Sequence, residues 1–180
     1  GRLLRIEQTN GAWRQTQIDL PTTGAVSIAG AAPTEQQAFA LYEDYLTPST
    51  LYALDDHATT PRAIRSLPPQ FDASPYVTEQ FEAVSSDGTR IPYFVLHRRD
   101  MPLNGENPTL LYAYGGFQVS MTPAYAPNVG KLWLDHGGVY AIANIRGGGE
   151  FGPAWHQAVL RTHRQLAYDD FFAVERDLVQ

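Results

Sequence analysis

The first 70 or so residues consist of short apolar and polar stretches separated by turn signals. Asn10-Gly11 tolerates the positive φ angles of a two-residue hairpin turn, and Pro33-Thr34 and Thr47-Pro48-Ser49 mark two further breaks. Between these turns, five segments are predicted as strands: LLRIEQT, AWRQTQIDL, AVSIAG, QAFALYED and LYALDD. Their nearly even spacing predicts an antiparallel meander, which is typical of a sandwich, a barrel or the last part of a β-propeller.

From Tyr76 onward the hydrophobic pattern is different. VTEQFEAVSS and TRIPYFVLHR form a predicted hairpin around Asp87-Gly88, and two nearly continuous apolar runs follow at 109–114 and 139–145. Unbroken apolar runs are expected for parallel strands that are covered on both faces. This part of the chain is therefore predicted to contain a pair of buried parallel strands.

Three helices are predicted around these strands. NVGKLWLDHGG predicts a short helix that ends at Gly137. Its buried side is predicted to hold Leu132, Trp133 and Leu134. Pro153 is placed to open a second helix, and Asp169 or Asp170 to cap a third. Strands that alternate with helices in this way predict an α/β layer.

The chain ends within a helical pattern. Leu178-Val179-Gln180 contains none of the Gly, Asn or Pro residues that usually end a helix. No further strand follows to complete the sheet of an α/β layer. We therefore expect the chain to be incomplete, a segment of a larger protein.

Composition and charge exclude several classes of function. The net charge is -6 and Lys and Arg are not clustered, which argues against a nucleic-acid surface. The absence of cysteine excludes disulfides, thiol catalysis and zinc-thiolate sites. Because the longest apolar runs are far shorter than the roughly 20 residues of a membrane helix, no membrane partner is expected. These features leave the compartment open, with a cytoplasmic location favoured over a periplasmic one.

A glycine-rich stretch, RGGGEFG, follows the second apolar strand. Three of its glycines fit the G-x-G-x-x-G pattern of a dinucleotide-binding turn: Gly147, Gly149 and Gly152. Glu150, however, would place a carboxylate where the pyrophosphate should lie, and the acidic residues about twenty positions later lie at a predicted helix start. We interpret the stretch as a tight structural loop in which Arg146 and Glu150 form a local ion pair.

YAYGGF at 112–117 lies at the end of the first apolar strand. In α/β-hydrolases the loop after an early central strand supplies one of the two hydrogen-bond donors that stabilise the oxyanion, often from a glycine-rich turn. Gly115-Gly116 occupies the corresponding place in this sequence. Tyr112 and Tyr114 have the same parity on the strand, but Tyr114, the last residue before the glycines, can turn its hydroxyl into a cleft. Spacing alone favours the alternative that both tyrosines belong to the core.

The histidines and the paired aspartates predict no second site. His156 and His163 have no acidic partner at ligand spacing, and adjacent helical residues such as Asp169 and Asp170 point in different directions. We interpret all five histidines as surface or capping residues: His57, His97, His136, His156 and His163. No metal or other cofactor is expected.

Three stretches resemble the prolyl oligopeptidase family of serine peptidases: TLLYAYGGFQVSMTPAY, HGGVYAIANIRGGGEFGPAWHQA and YDDFFAVERDL. The resemblance is continuous in order and spacing over 108–178, weaker over 71–98 and weakest over 1–71. The family joins a seven-bladed β-propeller to an α/β-hydrolase domain with a Ser, Asp and His triad. The resemblance therefore implies that residues 1–71 are the C-terminal part of a propeller. Residues 72–180 would be the N-terminal part of a hydrolase domain, truncated before the nucleophile.

The resemblance also implies roles for two residues. Tyr114 matches the family's oxyanion-hole tyrosine, whose hydroxyl works beside the backbone N–H that follows the nucleophile. Phe117 matches a phenylalanine that lines the pocket for the residue before the scissile bond. Ala113 stands where glycine is common and Phe151 where tyrosine is common, and neither change touches the chemistry.

The catalytic triad is expected outside this chain. None of the seven serines lies in a G-x-S-x-G elbow: Ser27, Ser49, Ser66, Ser74, Ser85, Ser86 and Ser120. The resemblance implies a segment of a serine-type oligopeptidase that hydrolyses short peptides, after proline, by acyl-enzyme chemistry; the 180-residue chain alone is predicted to be inactive. Two alternatives stay open: an esterase or acylaminoacyl hydrolase of the same fold, and a non-catalytic relative that binds peptides. A peptide substrate is the partner implied, and no oligomeric state is predicted.

Overall fold

The computed structural model describes residues 1–21, 23–31, 37–55, 58–102 and 104–179. The chain divides into two compact units. The first comprises Gly1–Gln70 and Pro123–Ala126, and the second comprises Phe71–Thr122 and Pro127–Gln180. Three features predicted from the sequence lie outside the described residues: the turn at Pro33-Thr34, the surface residue His57 and the terminal Gln180.

The first unit begins with a hairpin. β1 (Leu4–Thr9) and β2 (Ala12–Gln17) pair in antiparallel fashion. Asn10 and Gly11, which connect them, have φ angles of 53° and 78°. Positive φ at both central residues is what a two-residue hairpin turn of this kind requires. The hairpin predicted from Asn10-Gly11 is therefore confirmed.

A four-stranded antiparallel sheet follows, with its strands in the order β3-β4-β5-β6. Their bounds are Ala25–Ala31, Gln37–Glu43, Thr50–Asp55 and Arg62–Ser66. The predicted meander is confirmed, and β6 is a strand that the hydrophobic pattern did not reveal. All five of its side chains are exposed, so burial imposes no alternation of apolar and polar residues on it.

The second unit contains a mixed sheet with the strand order β7-β8-β10-β9. The strands are β7 (Tyr76–Val84), β8 (Arg90–Arg98), β9 (Thr109–Ala113) and β10 (Val139–Ala143). β7 and β8 form the predicted hairpin, β8 runs antiparallel to β10, and β9 runs parallel to β10. The predicted hairpin and the predicted parallel pair are both confirmed.

The prediction that both parallel strands are buried holds for β10 and is wrong for β9. β10 is buried along almost its whole length. On β9, Leu110 is 48% exposed and Tyr112 is 42% exposed. β9 is the last strand in the sheet and has a neighbour on one side only, so its apolar residues are not covered as those of a central strand are.

The first helix is shorter than its apolar pattern predicts. α1 (Pro127–Leu132) is followed by a 3-10 turn at Leu134–His136, which Gly137 ends with a φ of 85° as predicted. Leu134 is buried, but Leu132 is 70% exposed, so its predicted burial is wrong. The backbone of Trp133 leaves the helical region between them, so helical spacing does not carry across it. Trp133 is half-buried and its indole N–H donates to the carbonyl of Val139 at 2.7 Å.

The remaining helices are α2 (Pro153–Gln157) and α3 (Gln165–Val179), with a 3-10 turn at Arg161–His163 between them. Pro153 opens α2 as predicted, although the helix ends after five residues. Asp169 and Asp170 lie inside α3, which begins at Gln165, so the prediction that one of them caps the helix is wrong.

The core of the second unit lies between the mixed sheet and α3. Two buried helical residues, Ala167 and Val174, are spaced seven apart, as expected for one face of a helix. Together with Ala173 of the same helix, they pack in a cluster with residues of three strands and two loops: Ala83, Ile91, Tyr93, Val95, Val139, Ala141, Ala143, Ile145 and Val159. Within the described part of the chain, no helix has the length and apolar character needed to cross a membrane.

Candidate functional site

The two glycine-containing loops leave the same edge of the mixed sheet. In the parallel pair, Ala113 at the end of β9 is in register with Ala143 at the end of β10. The carboxyl ends of neighbouring parallel strands are where α/β proteins place their ligands. YAYGGF and RGGGEFG therefore meet at the position where this fold forms sites.

Glycine is required where these loops touch. A Cβ on Gly115 would collide with the side chain of Ile145, and one on Gly147 would collide with the carbonyl oxygen of Gly115. Both residues have positive φ, 58° and 101°, which disfavours other residues independently of space. A Cβ on Gly149 would likewise strike the backbone of Gln118. Gly147 and Gly149 thus allow one loop to pack closely on the other, in agreement with a structural loop.

α2 contacts the RGGGEFG loop through Trp155. The N–H of Gly147 donates to the carbonyl of Trp155 at 3.1 Å, and the indole of Trp155 donates to the carbonyl of Ile145 at 3.2 Å. Phe151 packs edge-on against the same indole, with ring centroids 4.8 Å apart. These contacts fix the loop backbone that faces Gly115.

Tyr114 is the first residue after β9 and is 42% exposed. Its hydroxyl makes no hydrogen bond with the part of the chain that the structure describes. The alternative of a core tyrosine with a satisfied hydroxyl therefore does not describe this residue. A phenol placed at a strand end with a free O–H can donate to a bound group, which is the chemistry predicted for it.

Phe117 lies two residues beyond Gly115 in an unusual backbone conformation. Phe117 has a φ of 51° and Gln118 a φ of 58°, and consecutive left-handed non-glycine residues are uncommon and strained. The Gln118 N–H lies 3.2 Å from the carbonyl of Gly147, and the Val119 N–H donates to the carbonyl of Gly116 at 3.0 Å. This arrangement leaves the Phe117 side chain 86% exposed.

A pocket of about 620 Å³ opens beside this ring. Its walls come from the YAYGGF loop, Gly147, α2 and the segment that follows α2: Gly116, Phe117, Gln118, Gly147, His156, Val159, Leu160, Arg161 and Arg164. Arg164 donates through Nη1 to the carbonyl of Gly115 at 2.6 Å. Phe117 therefore lines a pocket, and Arg164 holds the turn between Phe117 and Tyr114.

Two of the histidines are placed differently from the prediction. His156 is half-buried, and its Nδ1 lies 2.7 Å from the carbonyl of Gly147 and 3.2 Å from the amide of Gln118. His97 is buried, with Nε2 2.9 Å from Glu79. Both predictions of a surface or capping role are wrong, because the His97 ring contacts a residue of the adjacent strand and the His156 ring contacts two loops. His136 and His163 are exposed as predicted.

Arg146 forms a buried ion pair with Asp170, so the prediction of an ion pair with Glu150 is wrong. Its guanidinium donates to Asp170 at 2.7 and 2.9 Å, and its backbone N–H donates to the same carboxylate at 3.0 Å. Glu150, the predicted partner, instead accepts the backbone N–H of Met121 at 2.8 Å. Asp170 is fully buried, and these bonds raise the pKa of Arg146.

Two residues of the β7–β8 hairpin complete this cluster. Ser85 donates to Asp170 at 2.6 Å, and Asp87 accepts from Arg146 at 2.6 Å. The hydrogen bond from Arg146 holds the pKa of Asp87 well below its usual range. The cluster joins the hairpin, the loop after β10 and α3 at a point next to Gly147. One sequence signal could have revealed it: Asp170 lies between Ala167 and Val174 on the apolar face of α3.

Known proteins resemble the chain along almost its whole length. Residues 125–180 match the family model described as the prolyl oligopeptidase family. An uncharacterized peptidase of Sinorhizobium fredii is 49% identical over 169 residues, which cover 94% of this chain and 23% of that protein. A prolyl endopeptidase of Elizabethkingia meningoseptica is 36% identical over 156 residues, with coverages of 87% and 22%.

Solved structures agree with these sequence matches. A post-proline cleaving enzyme from Rickettsia typhi superposes with a TM-score of 0.80 at 37% identity, over 99% of this chain and 26% of that one. Prolyl oligopeptidase B from Galerina marginata gives a TM-score of 0.80 at 30% identity, over 91% and 24%. The chain thus spans about a quarter of the length of these relatives, and its mixed sheets and few helices fit a part of their propeller and α/β-hydrolase architecture.

Proposed function

Because the chain belongs to the prolyl oligopeptidase family, we propose that it is a segment of a serine-type oligopeptidase that cleaves short peptides after proline. In this proposal residues 1–71 end the propeller and residues 72–180 begin the hydrolase domain. One observation carries the assignment of the site. The hydroxyl of Tyr114 lies at the carboxyl end of a parallel strand, exposed and without a protein partner among the described residues.

Tyr114 supplies one donor of the oxyanion hole in the proposed reaction. A serine outside the 180 residues attacks the peptide carbonyl, and the carbonyl oxygen becomes negatively charged in the tetrahedral intermediate. The phenol O–H and a backbone N–H next to the nucleophile donate to that oxygen. The intermediate then collapses as the scissile C–N bond breaks and the amine fragment leaves with a proton from the general acid, and water hydrolyses the resulting acyl-enzyme. Gly115 and Gly147 serve this step because their close contact fixes the strand end from which Tyr114 projects.

We expect the full-length enzyme to cleave prolyl peptides and to be labelled by a serine-directed fluorophosphonate, whereas the polypeptide of residues 1–180 should do neither. The reason is that no serine of this chain lies in a nucleophile elbow. Activity assays and mass spectrometry of both polypeptides make the test. Labelling of the short polypeptide contradicts the assignment. A full-length protein that cleaves esters but not prolyl amides is an esterase, and one that binds peptides without labelling is a non-catalytic relative.

Replacement of Phe117 with alanine should lower kcat/KM for a prolyl peptide about tenfold, since truncation of an aromatic contact in a binding pocket typically costs 1 to 2 kcal/mol. The loss for a matched peptide with alanine before the scissile bond should be smaller, because that side chain makes less contact with the ring. Val119→Ala is the control, since Val119 lies in the same loop, is 47% exposed and does not line the pocket. Equal losses for both peptides would argue against a specificity role for Phe117.

A further inference from the structure

The pocket beside Phe117 is basic in a protein segment that is acidic. The chain carries a net charge of -6, yet three basic side chains line this pocket: His156, Arg161 and Arg164. No Asp or Glu is among the lining residues of the described chain. Local positive charge on an acidic molecule is a feature that selects a ligand by its charge.

The three basic residues are not equivalent. His156 contacts the carbonyl of Gly147. Arg164 donates to the carbonyl of Gly115 and also lies over the ring of Tyr168, at 5.4 Å from its centroid. Both therefore have a structural task in holding the loops. The guanidinium of Arg161, by contrast, makes no hydrogen bond or ion pair with the described residues.

The backbone of Arg161 is strained. Its φ is 53°, a left-handed conformation that costs a residue with a Cβ roughly 1 to 2 kcal/mol. The turn around it is fixed by backbone bonds from Leu160 to Gln157 and from His163 to Leu160, at 3.2 and 3.1 Å. Residues with strained backbone conformations cluster at active sites and ligand clamps, and a glycine at this position would remove the strain.

We propose that this pocket binds a carboxylate of the peptide substrate, with Arg161 as the residue that recognises it. The inference rests on the proposed function, because Phe117 in the same pocket contacts the residue before the scissile bond. A guanidinium matches a carboxylate in geometry and donates two parallel N–H bonds to it. The volume of about 620 Å³ is in the range of sites for small ligands. The carboxylate comes either from the C-terminus of the peptide or from an acidic side chain.

Kinetics on the full-length enzyme with four matched prolyl peptides test the proposal. Two peptides differ in a free or amidated C-terminus, and two amidated peptides differ in Glu or Gln after the proline. Arg161→Gln should lower kcat/KM about five- to twentyfold for the peptide whose carboxylate binds in the pocket, as expected for loss of a charge-assisted hydrogen bond. For the neutral counterpart of that peptide, kcat/KM should fall less than about twofold. Arg161→Lys should keep part of the preference for the charged peptide that Arg161→Gln loses. Loss with the free C-terminus identifies the terminal carboxylate, and loss with Glu identifies the side chain.

Two further variants separate recognition from folding. Arg161→Gly should lose the preference for the charged peptide while its Tm stays equal or rises, because glycine relieves the left-handed backbone. Arg176→Gln is the matched control, since Arg176 lies in the last turn of α3, is exposed and does not line the pocket. Equal effects on charged and neutral peptides, or no effect of Arg161→Gln on any peptide, would overturn the proposal.

The same peptides distinguish failure of this inference from failure of the proposed function. If the wild-type enzyme cleaves none of them, the proposed function fails, and calorimetric binding of the charged and neutral peptides to the wild type and to Arg161→Gln still measures the pocket. Binding that prefers the charged peptide and loses this preference in Arg161→Gln supports the carboxylate site. Binding without such a preference overturns it.

Discussion

Replacing Tyr114 with phenylalanine in the full-length enzyme should lower kcat about 10²- to 10³-fold and leave KM for a prolyl peptide nearly unchanged. In the proposed mechanism the hydroxyl donates to an oxygen whose negative charge develops only in the transition state, so its loss should weaken transition-state binding much more than substrate binding. The substitution keeps the aromatic ring in place and removes only the hydroxyl group. Steady-state kinetics with a prolyl amide substrate gives both constants.

Tyr112→Phe is the matched control for this experiment. Tyr112 lies two residues earlier, inside β9, and is 42% exposed, as is Tyr114. Removal of its hydroxyl changes the surface chemistry of the same strand without reaching the loop at its end. We expect kcat within about twofold of the wild type. If Tyr114→Phe has an unchanged kcat, or if both variants lose activity equally, Tyr114 is not an oxyanion donor.

Local signals were sufficient for the elements that carry the candidate site. The hairpin at Asn10-Gly11 follows from the two residues that the turn needs. The parallel pair follows from two apolar runs joined by a helical segment, which allows a crossover between strands that run in the same direction. Tyr114 follows the first run directly, but spacing alone favoured a core position for it, and its exposure of 42% differs from that expectation.

Most wrong predictions concern side chains whose burial and partners depend on contacts with residues distant in sequence. Asp170 has the composition of a helix cap, but Ser85, which donates to it, lies 85 residues earlier in the chain. His97 is isolated in the sequence and buried in the fold, where its Nε2 lies 2.9 Å from Glu79, a diagonal neighbour on the adjacent strand. The error at Leu132 has a local cause instead, because the backbone of the adjacent Trp133 breaks the helical phase of the apolar triplet. Composition and periodicity describe neighbours along the chain and carry no information on such partners.

The Arg146–Asp170 pair is a buried charged cluster beside the loop that follows Tyr114. Arg146 immediately precedes Gly147, whose backbone contacts Gly115, so the position of Arg146 is coupled to the loop that follows Tyr114. Asp170 binds both the side chain and the backbone N–H of Arg146. A surface pair would leave this segment free to move, since exposed ion pairs contribute little to stability.

Asp170→Asn should therefore destabilise the full-length enzyme by about 3 to 5 kcal/mol, the usual range when one partner of a buried ion pair is removed. The amide carries no negative charge, so the buried guanidinium of Arg146 keeps only the more exposed Asp87 as a carboxylate partner. In addition, only one of the two polar atoms of the amide can accept the hydrogen bonds that both carboxylate oxygens now accept. Urea unfolding gives the change in free energy. Hydrogen exchange of the Arg146 amide, which now donates to Asp170, shows whether the loop opens locally.

The neighbouring residue gives the control, and a double variant tests the physical reason. Asp169 is only half-buried and accepts from Ser86 at 3.2 Å and Gln165 at 3.0 Å, so Asp169→Asn should change the free energy of unfolding by less than about 1 kcal/mol. If the buried charge is the cause, Arg146→Met combined with Asp170→Leu should be less destabilising than the sum of the single variants. Additive losses, or a loss below about 1 kcal/mol for Asp170→Asn, would mean that the pair does not hold this loop in place.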